Sequence, residues 1–272
     1  MKRIIRLIVL FGILGLMLFP IYWTAVTSFK TNLDIYKIPP QWIPLHPTGE
    51  NYQAVLGSKS FMTYYLNNFI VAISATLLSM VVSVMAGYSL SRFKTKFSQT
   101  ITLGILSVQM FPVVGLLLSI YIFFRSAHLL NTRIGLVLVL ATMAMPFCIW
   151  LIKGFFDDIP RSIEESAEID GCSRMGILTR IVVPLSKPGL LAIGLYTFMI
   201  AWDDFLFCLT LIITDTLRTL SVGISMRYLG DASFDWAQVT TVSIMGAIPM
   251  FFLFIFFNRY MIQGLTAGSV KG

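Results

Sequence analysis

Uncharged apolar runs about 20 residues long recur along this chain, separated by segments that hold nearly all of its charges. A bilayer core about 30 Å thick is crossed by about 20 helical residues rising about 1.5 Å each, so runs of this length predict transmembrane helices. Six are predicted: Leu7 to Phe29, Leu66 to Leu90, Thr100 to Phe124, Ile134 to Ile152, Gly189 to Ile213 and Ala237 to Asn258. Only the fifth carries charge, at Asp203 and Asp204. In the second run Ala75, Ser79, Ser83 and Gly87 recur every four residues, which gathers small side chains on one helix face and predicts its burial against protein rather than lipid. Pro20, Pro112, Pro146 and Pro249 interrupt helical runs and predict kinks rather than breaks. The expected fold is an all-α polytopic membrane protein in which 1–272 form a single transmembrane domain, with an outer segment 30–65, an inner loop 153–188 and a tail 259–272.

Composition agrees, because 57% hydrophobic and 12% charged residues, with a mean hydropathy of +0.82, lie far from the roughly 45–50% and 25% of soluble domains. The net charge of +7 is spread between apolar runs rather than collected into a basic face, so no nucleic-acid partner is expected. Basic residues report orientation instead, since short cytoplasmic loops collect Lys and Arg. With the N-terminus inside, 13 of the 20 fall on inner segments and 7 on outer ones, which predicts a multi-pass protein of the cytoplasmic (inner) membrane with both termini cytoplasmic. A signal peptide is the alternative for the first run, after Lys2, Arg3 and Arg6, but the run exceeds a roughly 7–15-residue signal core and no small-residue cleavage site follows. Cys148, Cys172 and Cys208 lack C-x-x-C spacing and His46 and His128 lie far apart, so neither a disulfide framework nor a metal centre is expected.

Hydrolysis of ATP by this chain would need a phosphate loop ending in Gly-Lys-Ser/Thr, and the sequence contains no Gly-Lys pair. No nucleophile elbow or H-E-x-x-H pattern is present either, so the chain is not expected to be an enzyme. The inner loop is the informative segment. Ser162 and Glu165 stand at capping-box spacing after Pro160, and Gly171 is suited to end the helix they begin. Ser173 can then cap a second short helix that Pro184 stops within a few turns. Two brief amphipathic helices joined by a glycine turn make a compact projection suited to another protein's groove.

Glu165-Ser166-Ala167, three residues, Gly171, nine residues, Ile181, one residue, Val183 and Pro184 resembles the E-A-A-x3-G-x9-I-x-L-P loop of permease subunits of binding-protein-dependent ABC importers. Ser166 and Val183 are the two departures, both small or conservative. Pro20 with Ser28-Phe29-Lys30, Pro40-x-Trp42-x-Pro44 running to Asn51-Tyr52, Ala201-Trp202-Asp203-Asp204-Phe205, and the ending from Gln263 to Gly272 extend the resemblance over nearly the whole chain. They narrow it to carbohydrate-type permeases, most similar to the smaller permease of maltose importers.

The resemblance implies a type I ABC importer permease with six transmembrane helices and a cytoplasmic coupling loop. It implies that Glu165, Ser166, Ala167, Gly171, Ile181 and Pro184 form the part that docks into a cytoplasmic ATPase, and that the tail with Gly268, Ser269, Val270 and Lys271 reaches between two ATPase copies. The implied partners are a homologous permease in a heterodimer, two ATPase subunits or domains, an extracytoplasmic sugar-binding protein and membrane lipid. No cofactor is expected on this chain, ATP and Mg belonging to the ATPase. Asp203 and Asp204, with Trp202 beside them, are costly inside a membrane span and should face the protein interior, either lining or gating the translocation path or contacting the partner permease. Gln109 beside Pro112 is a weaker path candidate, more in keeping with a helix-to-helix hydrogen bond. The outer segment, rich in Pro and aromatics, is expected to be a stiff surface loop, either a plain connector or a place for a binding protein to dock. A secondary transporter or channel independent of ATP is the rival reading; the two aspartates suit it, while the loop has no purpose in it.

Overall fold

The computed structural model describes residues 2–93, 97–228 and 235–267, and the described residues contain helices and no strand. The chain divides into two compact units, Met1–Tyr65 with Leu220–Phe251 and Leu66–Thr219 with Phe252–Gly272. Among the described residues four helices are long and apolar enough to cross a bilayer: α1 (Lys2–Ser28), α4 (Lys59–Arg92), α7 (Arg133–Asp157) and α14 (Trp236–Ala267). Two bent helix pairs bring the number to six if each is one span.

In the first unit, α1 leads into α2 (Asn32–Ile35), α3 (Glu50–Gly57) and the start of α4. Residues 59–65, expected at the end of a surface loop, are already helical, and Phe61 and Tyr64 are core residues. A charge-free run marks where a helix meets lipid, not where it starts; Lys59 sits in the first turn, before the apolar run begins. Helix α13 (Leu220–Tyr228) and the first part of α14 complete this unit.

In the second unit the small-residue face of α4 is buried, as its spacing predicts: Ala75, Ser79 and Ser83 are fully covered and Gly87 is buried. Ser79 receives a hydrogen bond from Thr197 at 3.3 Å, and Thr197 lies 3.3 Å from the Cys148 sulfur, so three helices share a small polar contact inside an apolar core. Pro146 and Pro249 lie inside continuous helices, as Pro20 does in α1. Pro112 does not. The third predicted run is two helices, α5 (Ser98–Ser107) extended by a 3₁₀ turn to Met110, and α6 (Val113–Ser126), meeting at 98°. Phe111 and Pro112 are both extended, which follows from the steric bias of a residue before proline against helical dihedrals.

The fifth run is also corrected. Its helix, α11 (Lys187–Trp202), stops eleven residues before Ile213 and is followed by the separate α12 (Leu206–Leu211). On its N-terminal side α11 meets the helical run 174–185 at 83°.

Candidate functional site

The inner loop contains α8 (Arg161–Ile169), α9 (Arg174–Ile177), a π turn (Leu178–Val182) and α10 (Val183–Leu185). The capping box is not used. Pro160, with its fixed φ of −59°, is the residue before the helix, which places Ser162 inside the first turn, where its carbonyl accepts from Ser166 Oγ at 2.8 Å. The expected glycine turn is formed. Gly171 has φ of +84°, its N–H donates to Glu168 O at 3.0 Å, and Cys172 N–H donates to Ala167 O at 2.9 Å, the paired bonds that close a helix through a left-handed residue. Ser173 caps α9 by accepting from Gly176 N–H at 3.2 Å. Pro184 does not stop the run at once; helix continues to Leu185 and the bend falls at Ser186.

One face of this loop is packed and the other is open. Ala167, Ile177, Leu178 and Val182 are buried with Phe156, Ile152 and Ile193, and Ile181 packs on the same cluster. Glu165, Ser166, Glu168, Ile169, Gly171 and Pro184 are exposed, Ile169 by 88%. Of the six motif residues, Ala167 and Ile181 therefore hold the loop on the bundle, and Glu165, Ser166, Gly171 and Pro184 are available to a partner.

The sequence analysis missed the residue that fastens α8. Glu164, 7% exposed, turns inward while its neighbour Glu165 points out. Arg92, at the end of α4, donates to Glu164 Oε1 through Nε at 2.6 Å and Nη2 at 2.5 Å, and the Tyr88 hydroxyl donates to Oε2 at 2.9 Å. Arg161 reaches back to the carbonyls of Ser91 and Arg92 at 3.4 and 3.2 Å. Ser91 Oγ donates to Asp157 of α7 at 2.6 Å, and Lys153 pairs with the other Asp157 oxygen at 2.6 Å. The signal was present: an arginine closing an apolar helix, and two adjacent glutamates that a helix must aim about 100° apart.

Asp203 and Asp204 part company. Asp203 ends α11 and is exposed. Asp204 is buried, and its two oxygens accept from Phe207 N–H at 3.1 Å and Cys208 N–H at 2.9 Å. Its carboxylate thus satisfies the otherwise open donors at the start of α12. Trp202 is buried against the rings of Phe69 and Phe198, with centroids 4.7 and 5.4 Å away, and its carbonyl accepts from Asn68 Nδ2 at 3.1 Å. Gln109 is exposed in the 3₁₀ turn before Pro112. Gly268, Ser269, Val270 and Lys271 lie outside the described residues.

Residues 79–266 match the family described as the binding-protein-dependent transport system inner membrane component. The chain belongs to this family. It is the membrane permease of such a system, not its ATP-hydrolysing component. The chain is similar to the sulfoquinovosyl glycerol transport system permease of Agrobacterium fabrum, with 37% identity covering 94% of this chain and 89% of that one. It is also similar to the diacetylchitobiose uptake system permease of Streptomyces coelicolor (33%; 94% and 92% covered) and to the trehalose/maltose transport system permease of Thermococcus litoralis (31%; 100% and 98% covered). The fold matches a chain of a bacterial ABC transporter involved in import of the acidic polysaccharide alginate, with a TM-score of 0.85, 21% identity and 96% of each chain covered.

The permease's segment 30–65 accounts for the remaining motif residues. Trp42 folds onto the end of α1, its ring 5.6 Å from Trp23 and its carbonyl accepting from the Tyr22 hydroxyl at 2.7 Å. Tyr52 lies 2.7 Å from Ser28 Oγ, and Asn51 Nδ2 donates to the carbonyls of Ser28 and Lys30, each at 2.9 Å. Lys30 is 2% exposed, donates to Gln41 O and stands 4.5 Å from the Trp23 ring centroid. Burial pushes its ammonium below the ordinary lysine value, and Asp34 offsets part of that. Asp34 is itself held low by hydrogen bonds from Lys37 and Thr31.

Proposed function

We propose that this permease imports a sugar or oligosaccharide delivered by an extracytoplasmic binding protein, as half of a heterodimer with a homologous permease, driven by two ATPase subunits or domains that bind ATP and Mg. The observation that carries the ATPase-docking part is the exposed face of α8 and its turn, where Glu165, Ser166, Glu168, Ile169 and Gly171 stand clear of a packed base. Acidic side chains flanking an exposed isoleucine suit a cleft with basic walls and an apolar floor. The sugar reading rests on relatives whose names specify a sulfoquinovosyl glycerol, diacetylchitobiose, and trehalose or maltose. A second chain of similar fold (TM-score 0.64, 16% identity) comes from an alginate transporter in complex with an alginate pentasaccharide-bound periplasmic protein, and the proposed handover follows that arrangement.

Both termini lie in the cytoplasm in this proposal, which puts α8 on the ATPase side. Gly268 to Lys271 extend toward the ATPase pair. Closure of the ATPases on ATP moves the docked helices, and the permease pair rocks from inward-facing to outward-facing. Asp203, exposed beside the α12 cap, is the aspartate assigned to the path in this reading, where it would meet a sugar hydroxyl, whereas Asp204 is engaged by backbone.

The test is co-purification of the tagged chain with its ATPase, followed by uptake of labelled sugar into proteoliposomes supplied with binding protein. Retention of the ATPase by wild type, its loss on Gly171→Pro, weakening on Glu165→Ala, and uptake dependent on ATP are the expected results. Uptake by the chain alone without ATP would overturn the importer reading in favour of a secondary transporter.

A further inference from the structure

We propose that Glu164 is a positioning residue for energy coupling: clamped by Arg92 and Tyr88, it locks α8 to the ends of α4 and α7, so that a push on the exposed face of α8 moves those helices as one body. The proposal rests on the reading of α8 as the ATPase-docking helix. Both oxygens of Glu164 are engaged inside the permease, by the Arg92 guanidinium and the Tyr88 hydroxyl. The two members of the ion pair are each only 10% exposed at the side chain. Glu164 is thus committed inward, and the outward contact is left to Glu165.

The network continues on both sides of the pair. Arg92 also donates to Ser91 Oγ at 3.0 Å and to Ile159 O at 3.4 Å, and Ser91 Oγ passes the connection to Asp157 on α7. Arg161, the first residue of α8, binds the last carbonyls of α4 from the opposite direction. Helix α4 is thus joined by directed hydrogen bonds to α7 and α8, which follow one another much later in the chain. Apolar packing beneath Ala167 and Ile177 already holds α8 down, but such packing is non-directional and permits sliding or rotation. A carboxylate held at one oxygen by an arginine and at the other by a tyrosine hydroxyl is fixed in orientation as well as position. A helix that only adheres to the bundle would absorb the ATPase stroke by rotating; a clamped helix transmits it.

Consequently, loss of the clamp is expected to uncouple transport from hydrolysis while leaving the docking face intact. The experiment uses the full importer in proteoliposomes, with permease pair, ATPase and sugar-loaded binding protein, and measures both sugar accumulated per ATP hydrolysed and ATPase retained in detergent. Glu164→Gln, which keeps shape but removes charge, is expected to retain ATPase within twofold of wild type and lower the sugar-to-ATP ratio at least fivefold, with an unchanged half-saturating concentration of binding protein. Tyr88→Phe removes one hydroxyl from the clamp and is expected to lower the ratio about twofold with normal assembly. A merely structural residue would lower the amount of assembled importer without changing the ratio per assembled complex. If Glu164→Gln does not assemble, Tyr88→Phe decides: a lowered ratio supports the clamp and a wild-type ratio overturns it. A wild-type ratio in an assembled Glu164→Gln importer overturns this proposal alone. Full ATPase retention by Gly171→Pro overturns the docking reading, and the clamp falls with it.

Discussion

The Cγ2 methyl of Ile152 stands 2.6 Å from the point that a Cβ on Gly87 would occupy, and the Lys153 nitrogen and Ile149 carbonyl lie 3.3 and 3.4 Å from it. Helices α4 and α7 approach there as closely as an absent side chain allows. Gly87→Ala forces Ile152 or the α7 backbone to move, and overpacking of this kind costs about 1–3 kcal/mol. The measurement is the midpoint of thermal unfolding in detergent, expected to fall. Ser83, one turn earlier on the same buried face, has a hydroxyl with no hydrogen-bond partner among the described residues. Ser83→Ala is therefore expected to leave the midpoint unchanged or raise it slightly, since it removes a buried polar group that gains nothing.

That face was legible because small residues at a four-residue period have a single geometric meaning in a membrane helix, whereas helix ends were not. Hydropathy reports contact with lipid, so it carried the fifth span through Asp203 to Ile213, although α11 ends at Trp202 and a separate α12 starts at Leu206. It also could not tell Pro112, which separates two helices, from Pro146, which sits inside one. The helix-turn-helix of 161–185 was legible through its spacing and its glycine. Its anchor was not, because Glu164 and Arg92 are 72 residues apart and only the packing of α8 across α4 brings them together.

Gly171 and Ser173 close one helix and open the next within three residues, so their contributions separate cleanly. Gly171→Ala places a side chain at φ of +84°, a left-handed conformation costing about 1–2 kcal/mol for a non-glycine residue, although the space around the position is open. Gly171→Asn, which tolerates that conformation better, is expected to recover part of the loss. Ser173→Ala removes the acceptor for Gly176 N–H and costs about 1 kcal/mol. Limited proteolysis of the loop checks all three, with cleavage fastest in Gly171→Ala, intermediate in Gly171→Asn and slowest in wild type, and Ser173→Ala faster than wild type.

The two aspartates after Trp202 are expected to respond oppositely. Asp204→Ala leaves the N–H groups of Phe207 and Cys208 without their acceptor in a buried turn, a loss of about 1–3 kcal/mol per unsatisfied donor. Asp204→Asn keeps one acceptor oxygen and is expected to lose less, so the order of unfolding midpoints is wild type, Asn, Ala. Asp203→Asn changes an exposed residue and is expected to leave the midpoint within about 0.5 kcal/mol of wild type. Any loss of uptake in Asp203→Asn therefore reports on transport rather than folding, while a loss in Asp204→Ala reports first on folding.

Lys30 gives a pH dependence whose sign follows from its burial. Taking the ammonium out of water lowers its protonation midpoint in the folded chain below the 10.5 of a free lysine, with Asp34 offsetting only part of the shift. Between that lowered value and 10.5 the unfolded chain binds more protons than the folded one. Stability must then rise with pH across this window, and be lost again as pH falls back through the folded value. Lys30→Met keeps a chain of similar length in the site beside Trp23 but has no proton to exchange. Comparing unfolding midpoints of the two proteins from pH 8 to 10.5 cancels titration of every other group they share. The difference is expected to move steadily in favour of wild type as pH rises; a difference that stays constant would mean that Lys30 titrates alike in the folded and unfolded chains.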